Sequence, residues 1–316
     1  MINNKIKALI LVGGYGSRLR PLTHTIPKPL IPFVNMPILE RQIKSLSKVG
    51  IKDIVLAMNY KYSIIERQTK PLEKKYQVNI IFSLEHEPLG TAGPIAFAKK
   101  YLEDSYIFVL NSDVICEYPF EEMMSYHFKT NKLGTLLVTK VEEPSKFGVI
   151  KTNKFNEIEY FAEKPVEYIS NLINAGIYFF SPEIFNYLRE IPYSIEKEVF
   201  PLLAEERMLN VVHLNGYWSD IGTPQGYLLG QKYFLESDKS LRSKLFHSRD
   251  NVVIGNNVSI GMNVTLKNCT IFDNTVICNN VVINDSIIGS NCFIGEDTIL
   301  LNYSILGDDS KILNKK

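Results

Sequence analysis

No cysteine in this chain has a partner at metal-clamp spacing. The four cysteines, Cys116, Cys269, Cys278 and Cys292, form no CxxC pair. That argues against a zinc site or a disulfide framework and for reduced thiols in a cytoplasmic protein. The five histidines (His24, His86, His127, His213, His247) are scattered without metal-ligand spacing, and no G-x-S-x-G nucleophile elbow occurs. An excess of one charge is also missing. The chain has 35 Lys and Arg against 34 Asp and Glu, a net +1, so neither nucleic acid nor a membrane surface is indicated as a partner. No apolar run is long enough to span a bilayer, and the first residues lack the apolar stretch of a signal peptide. What remains is an ordinary globular composition, 45% hydrophobic and 22% charged over 316 residues, enough for a large core and two domains.

The most informative segment runs from Leu11 to Thr23 and on through Pro27-Lys28-Pro29-Leu30. The apolar run Ala8–Val12 ends in a loop with Gly13, Gly14 and Gly16, followed by Arg18, Arg20 and Lys28. Glycines let backbone turn sharply and approach a ligand, and arginines make forked contacts to phosphate oxygens. A P-loop needs Gly-Lys-Ser/Thr, where this chain has Gly16-Ser17-Arg18. A dinucleotide fingerprint needs a third glycine, where it has Leu19. Pro27 and Pro29 stiffen the segment that carries Lys28. The pattern reads as a nucleoside-triphosphate cradle outside both common families.

From residue 7 to about 235, apolar strands (Ala8–Val12, Ile54–Met58, Val78–Phe82, Tyr106–Leu110) alternate with helices. The helices are expected over Pro37–Val49, over a charged stretch ending at Lys75, and near Pro94–Tyr101. This rhythm predicts an α/β fold, a Rossmann-like mixed, mostly parallel sheet that binds ligands beyond the carboxyl ends of its strands. Residues 1–235 form the expected catalytic domain and 236–250, rich in charge and serine, a linker. Over 251–316 the chain reads as hexads, most of them opening on an aliphatic or aromatic residue, at Val252, Val258, Val264 and Thr270. After a five-residue step over Val276–Asn280 they return at Val281, Ile287, Phe293, Ile299 and Ile305. That period is the signature of a short left-handed parallel β-helix of roughly three coils, a scaffold by default.

Several further residues have the chemistry to act at a phosphate site. Asp113 follows the Tyr106–Leu110 strand and suits magnesium, which takes few carboxylates plus phosphate oxygens. A turn or cap aspartate is the plainer alternative. Asp220, in Trp218-Ser219-Asp220-Ile221-Gly222, is either a second metal carboxylate or a cap for the helix starting near Pro224. Glu163 and Lys164 read as sugar and phosphate ligands or as a surface ion pair. The small residues Asn174-Ala175-Gly176 interrupt a strand, which marks a close approach by ligand or backbone. The loop Glu87–Pro94 reads as a nucleobase contact or as a plain loop into a helix capped by Thr91.

With these pieces in place, the chain resembles the sugar-1-phosphate nucleotidyltransferases, and most closely the β-type mannose-1-phosphate guanylyltransferases. The resemblance is carried by ALILVGGYGSRLRPLT at 8–23, PKPL at 27–30, EPLGTAGP at 87–94 and VLNSDVIC at 109–116. It continues through LVTKVEEPSKFGVI at 137–150, FAEKP at 161–165, NAGIYFFSPE at 174–183, SIEKEVFP at 194–201 and WSDIGTP at 218–224. It implies transfer of a guanylyl group from GTP to mannose 1-phosphate, giving GDP-mannose and pyrophosphate by in-line attack with Mg2+ and no covalent nucleophile. Under it, Gly13, Gly14, Gly16 and Arg18 hold the triphosphate with Lys28, and Leu11 and Asn111 are nucleotide-binding positions. The segment from Glu85 to Gly90 meets guanine, and Asp113 and Asp220 bind magnesium. Gly148, Glu163 and Asn174 contact mannose, and Lys164 holds its phosphate. A homo-oligomer is expected, with a regulatory paralogue as a further partner. Ser17 stands where the family has Thr, Ala162 and Ser219 where it has Val and Met, and the hexads stop earlier than is usual there. Three other readings stay open: the same chemistry on UTP or dTTP with glucose 1-phosphate, a silent GDP-mannose-binding regulatory subunit, and a hexapeptide acyltransferase. No histidine follows His247 to act as base for the last of these.

Overall fold

The computed structural model describes residues 5–59, 61–237 and 250–313; most of the 236–250 linker therefore lies outside the described residues. The chain divides into two compact units. One comprises Met1–Gly13, Gln42–Val114 and Tyr118–Gly216, and the other Gly14–Arg41, Ile115–Glu117 and Tyr217–Lys316.

The first unit is built on a nine-stranded mixed sheet. Tyr106–Asn111, Ile6–Leu11, Asp53–Met58 and Asn79–Leu84 lie side by side and parallel. Their near-continuous apolar runs are what burial on both faces requires, and Ala8, Leu9 and Ile10 are fully buried. Leu172–Phe180 joins antiparallel to Tyr106–Asn111 and brings in Gly134–Lys140, Gly148–Thr152 and, beyond it, Ile158–Glu163. Leu209–His213 pairs parallel with Gly134–Lys140. The helix expected from Pro37 starts at Ile38, because Pro37 instead faces Pro32 in a two-residue ladder. The helix expected near Pro94–Tyr101 is two short helices, Gly93–Phe97 and Lys99–Leu102, meeting at Ala98.

In the second unit, parallel strands stack into a β-helix with three faces. Val252–Ile254, Thr265–Ile271 and Val282–Ile288 stack in one series, and Ser259–Ile260, Val276–Ile277, Phe293–Ile294 and Lys311–Ile312 in another. The early turns are 17 residues long, pairing Val252 with Cys269 and Thr265 with Val282. The later ones take 18, with Ser290 meeting Asp308. The single short step expected at Val276–Asn280 is corrected accordingly. Left-handed corners fall at Asn251, Asn257, Asn263, Asn268, Asn274, Asn280 and Asp285, so the five-residue steps end at Asn268 and at Asp285. Counting aliphatic residues misplaces them because the inward positions there are Cys269, Thr275 and Ser286, all fully buried. The recurrent asparagines have two duties. They tolerate positive φ at the corners, and their side chains bond from turn to turn, as in Asn257–Asn274–Asn291–Asp309.

Helix Pro224–Ser237 and the segment Gly14–Arg41 pack with this β-helix in one unit. Buried Gln231 donates to the carbonyls of Asn251 (3.0 Å) and Cys269 (3.2 Å). The Tyr227 hydroxyl donates to the Pro32 carbonyl, and Asn35 Nδ2 donates to the Ile254 carbonyl at 2.8 Å. Arg41 lies 4.3 Å over the ring of Phe234. The glycine-rich segment thus packs with the C-terminal repeats, although it precedes them by more than two hundred positions in sequence.

The first unit contains one buried titratable residue with a defined consequence. His127 bonds Thr135 Oγ1 through Nδ1 (2.8 Å) and Ser181 Oγ through Nε2 (2.9 Å), and burial lowers its pKa to about 4. Its folded pKa lies below the ordinary value of 6.5, so the unfolded chain takes up a proton first as pH falls. The stability this residue contributes is therefore complete above about pH 6.5 and lost progressively down to about pH 4. Urea midpoints should drop between pH 7.5 and 4.5, and His127→Gln should flatten that part of the profile.

Candidate active site

In the second unit, the glycine-rich turn is shaped by its own contacts. Gly16 has φ +60, and a Cβ there would stand 2.8 Å from Thr23 Cγ2 and 3.0 Å from Lys28 Cβ. Glycine is therefore required both by conformation and by space. The Thr23 hydroxyl donates to the Gly16 carbonyl at 2.9 Å, and the Leu19 N–H closes a turn on the same oxygen at 3.0 Å. Gly14 leads into this turn, Arg18 sits in the 3-10 turn Ser17–Leu19, and Lys28 opens the one at Lys28–Leu30. Arg18 Nη2 lies 3.8 Å from Asp220 Oδ2, with the Arg18 side chain 60% exposed. Asp220 Oδ1 accepts the Gly222 N–H at 2.8 Å. A Cβ on Gly222 would stand 2.8 Å from Lys28 Nζ and 2.9 Å from both Arg18 Nη2 and Asp220 Oδ1. Two cations and one carboxylate therefore converge on a position without a side chain. Asp220 is not the cap of the following helix, because Thr223 Oγ1 accepts the Gly226 N–H there at 3.0 Å.

The first unit holds the remaining candidates. Leu11 and Asn111 are register partners at the carboxyl ends of adjacent parallel strands, and Gly13 lies just beyond Leu11. Gln42 Nε2 fixes the Asn111 carbonyl at 2.8 Å. A Cβ on Gly176 would stand 2.8 Å from Asn111 Nδ2, so the gap in that strand admits a neighbouring side chain. Asn174 Oδ1 accepts the Gly176 N–H (2.9 Å), and Asn174 Nδ2 donates to the Tyr178 hydroxyl (2.8 Å). Tyr178 is fully buried. Burial raises its pKa well above the usual tyrosine range, and the nearby carboxylates of Glu196, Glu163 and Asp113 add to the shift. Asp113 itself sits in the turn between Tyr106–Asn111 and Val114–Cys116. Gly148 is paired with Glu163, and a Cβ there would stand 3.0 Å from Glu163 Oε2. Burial raises the Glu163 pKa, Lys164 opposes that, and the two side chains meet at 3.3 Å. Lys164 has φ +50, and its N–H is held by the Phe147 carbonyl at 3.0 Å. A lysine held in that region is strained.

Glu85 is buried, which raises its pKa, and it accepts the Leu89 N–H at 3.1 Å. Gly90, with φ +77, lies so close to the Tyr193 carbonyl that no Cβ fits. Thr91 does not cap a helix. Its hydroxyl donates to Glu196 Oε2 at 2.6 Å and accepts the Ile195 N–H at 2.9 Å, tying the Glu87–Pro94 loop to the segment after Tyr193. Sequence reasoning did not pick out Gly222, Thr23, Tyr178 or Glu196 as site residues. Their roles depend on contacts between distant segments, and the only available signal was their membership of motifs already noted. Among the described residues, no group of three or more His, Cys, Asp or Glu is arranged to hold a metal, and no helix is long and apolar enough to cross a membrane.

A parallel half-sheet whose first strand runs directly into a glycine-rich turn is a frame suited to binding a nucleotide. Residues 7–237 match the nucleotidyl transferase family model, and residues 247–315 match that of the GMPPB C-terminal domain. The chain belongs to the nucleotidyl transferase family, in the branch that carries this C-terminal domain. It is 49% identical over 269 residues to a mannose-1-phosphate guanyltransferase of Schizosaccharomyces pombe, covering 84% of this chain and 74% of that one. It is 45% identical over 265 residues to mannose-1-phosphate guanyltransferase beta-A of Xenopus laevis, covering 82% and 74%. Among solved structures, a putative glucose-1-phosphate thymidylyltransferase from Bacillus anthracis superposes with TM-score 0.67 at 22% identity, covering 71% of this chain and 93% of that one; it shares the fold. HddC from Yersinia pseudotuberculosis, in complex with GMP-PN, superposes with TM-score 0.61 at 26% identity, covering 72% and 99%.

Gly222→Ala should push Lys28 and Arg18 apart and raise the KM for nucleotide about tenfold, which corresponds to about 1.4 kcal/mol. Steady-state kinetics at varied nucleotide read this, and an unchanged KM would remove position 222 from the site.

Proposed function

We propose that this chain transfers a guanylyl group from GTP to mannose 1-phosphate, forming GDP-mannose and pyrophosphate. The observation that carries the transfer chemistry is the convergence of Arg18 and Lys28 on Gly222, a cationic cradle of a kind that suits a polyphosphate. The choice of GTP and mannose 1-phosphate rests on the name shared by the relatives at 45 and 49% identity.

In this reading, Gly13, Gly14 and Gly16 present backbone to the triphosphate, and Leu11 and Asn111 are further nucleotide-binding positions. Arg18 and Lys28 balance the charge that develops on the departing pyrophosphate. Glu85, held by the Leu89 N–H, and Gly90 form the base-binding edge. Gly148, Glu163 and Asn174 contact the sugar; at Gly148 the missing side chain leaves room for the Phe161 ring and, next to it, the Glu163 carboxylate. Lys164, aimed by its left-handed backbone, holds the sugar phosphate against repulsion from the nucleotide so that its oxygen attacks the α-phosphorus in line. No side chain needs to become covalently attached.

The carboxylates present suit magnesium. Asp113 and Asp220 are hard oxygen donors, too few to enclose an ion alone, and magnesium takes its remaining ligands from water and phosphate. Asp113 in the first unit and Asp220 in the second are each a candidate ligand for it. When bound, the ion supplies Lewis acidity and charge neutralisation at the phosphates. A silent regulatory subunit is the weaker reading, because Arg18, Lys28, Asp113, Lys164 and Asp220 are all in place. We also propose a homo-oligomer, supported by the exposed apolar side chains Ile260, Met262, Ile299 and Leu313 on the β-helix, and a cytoplasmic location, supported by the cysteine spacing.

Pyrophosphate release should be fastest with GTP and mannose 1-phosphate in a panel that includes UTP or dTTP with glucose 1-phosphate. Asp113→Asn should lower kcat on the order of 100-fold. A preference for another pair overturns the substrate assignment, and full activity of Asp113→Asn overturns the metal assignment.

A further inference from the structure

One turn-stacking device recurs along the β-helix. Asp273 Oδ1 accepts the Asn256 N–H at 2.7 Å, Asn279 Oδ1 accepts the Met262 N–H at 2.8 Å, and Asp308 Oδ1 accepts the Ser290 N–H at 2.8 Å. In each case a side chain caps a backbone donor one turn earlier. Asp308 differs in what its second oxygen does. Its Oδ2 accepts the hydroxyl of Thr25 at 2.6 Å, a charge-assisted bond to the end of the short helix Leu22–Thr25. The neighbouring Gly307 is buried against Pro21, at the other end of that helix, where a Cβ would stand 3.2 Å from Pro21 Cβ.

The same four-residue helix carries Thr23, whose hydroxyl holds the Gly16 carbonyl at 2.9 Å. A continuous chain of contacts therefore runs from the β-helix through Asp308, Thr25 and Thr23 to the glycine-rich turn, all within one compact unit. We infer that Asp308 is a positioning residue for the nucleotide's phosphates and that the β-helix sets the affinity of the turn it braces. The inference rests on the triphosphate role proposed for that turn. It gives the turn that carries Asp308 a part in substrate binding and leaves the earlier turns as scaffold.

The chemistry distinguishes this bond from general stability. An asparagine at 308 still caps Ser290 through its oxygen and donates its amide to Thr25, whose own proton then goes to the Leu22 carbonyl 3.1 Å away. Asp308→Asn and Thr25→Ser should therefore behave as wild type. Asp308→Ala and Thr25→Val should each raise the nucleotide KM about fivefold, with kcat and the sugar-phosphate KM within twofold. The double variant should be no worse than either single one, as for two ends of one interaction. Asp273→Ala removes the same device from an earlier turn and should leave the nucleotide KM unchanged. The experiment uses the full chain, with pyrophosphate affinity by calorimetry as a readout independent of turnover. Additive effects of Asp308→Ala and Thr25→Val, an unchanged KM in either, or an equal rise in Asp273→Ala overturns the inference and leaves the substrate assignment standing. A wild type that prefers another nucleotide overturns the substrate assignment, and the coupling is then read on that nucleotide. A wild type that neither turns over nor binds pyrophosphate overturns both.

Discussion

Two positive side chains brought to one point repel each other, and everything around Gly222 serves to keep Arg18 and Lys28 there. The missing Cβ gives them room. Asp220, held by the Gly222 N–H, supplies partial compensation at 3.8 Å from Arg18, too far for a tight ion pair. Two cationic donors held on one position suit the oxygens of a polyphosphate. The Gly16 turn, the stiff Pro27-Lys28-Pro29 segment and the cap at Thr223 all fix the backbone from which these groups project.

The first unit solves a different problem, that of placing carboxylates where burial makes charge costly. Glu163 and Glu85 both have raised pKa values for that reason. Tyr178, completely buried, has Asn174, Glu163, Glu196 and Asp113 in its electrostatic surroundings. Glu196 is held by the hydroxyls of Thr91 and Ser194, at 2.6 and 2.7 Å, so one carboxylate links the Gly90 loop to the wall behind Tyr178. Hydrogen bonds to hydroxyls fix its position.

Much of this was readable in the sequence, and the limits have physical causes. The parallel half of the sheet was legible because strands buried on both faces are apolar throughout. The Gly13–Arg18 turn was legible because glycines and arginines have few other reasons to alternate. The β-helix was legible by its period, yet its short steps were misplaced where Cys269 and Ser286 occupy inward positions that a count of aliphatic residues passes over. A cap at Thr91 stayed open as one of two readings, because a hydroxyl before a helix has the same sequence appearance whether it bonds its own helix or a glutamate 105 positions away. The left-handed backbone of Lys164 has no sequence signal, since lysine is not a residue that advertises positive φ. Nor did the order of the chain reveal that Gly14–Arg41 shares a compact unit with the C-terminal repeats.

The asparagine ladders carry one more consequence. Asn257, Asn274 and Asn291 align only because each turn returns after 17 residues, and Asp309 joins them after 18. The ladder therefore absorbs one extra residue in a turn without losing a partner. A whole added or deleted coil would also leave it continuous, but it would change which residue is presented to Thr25.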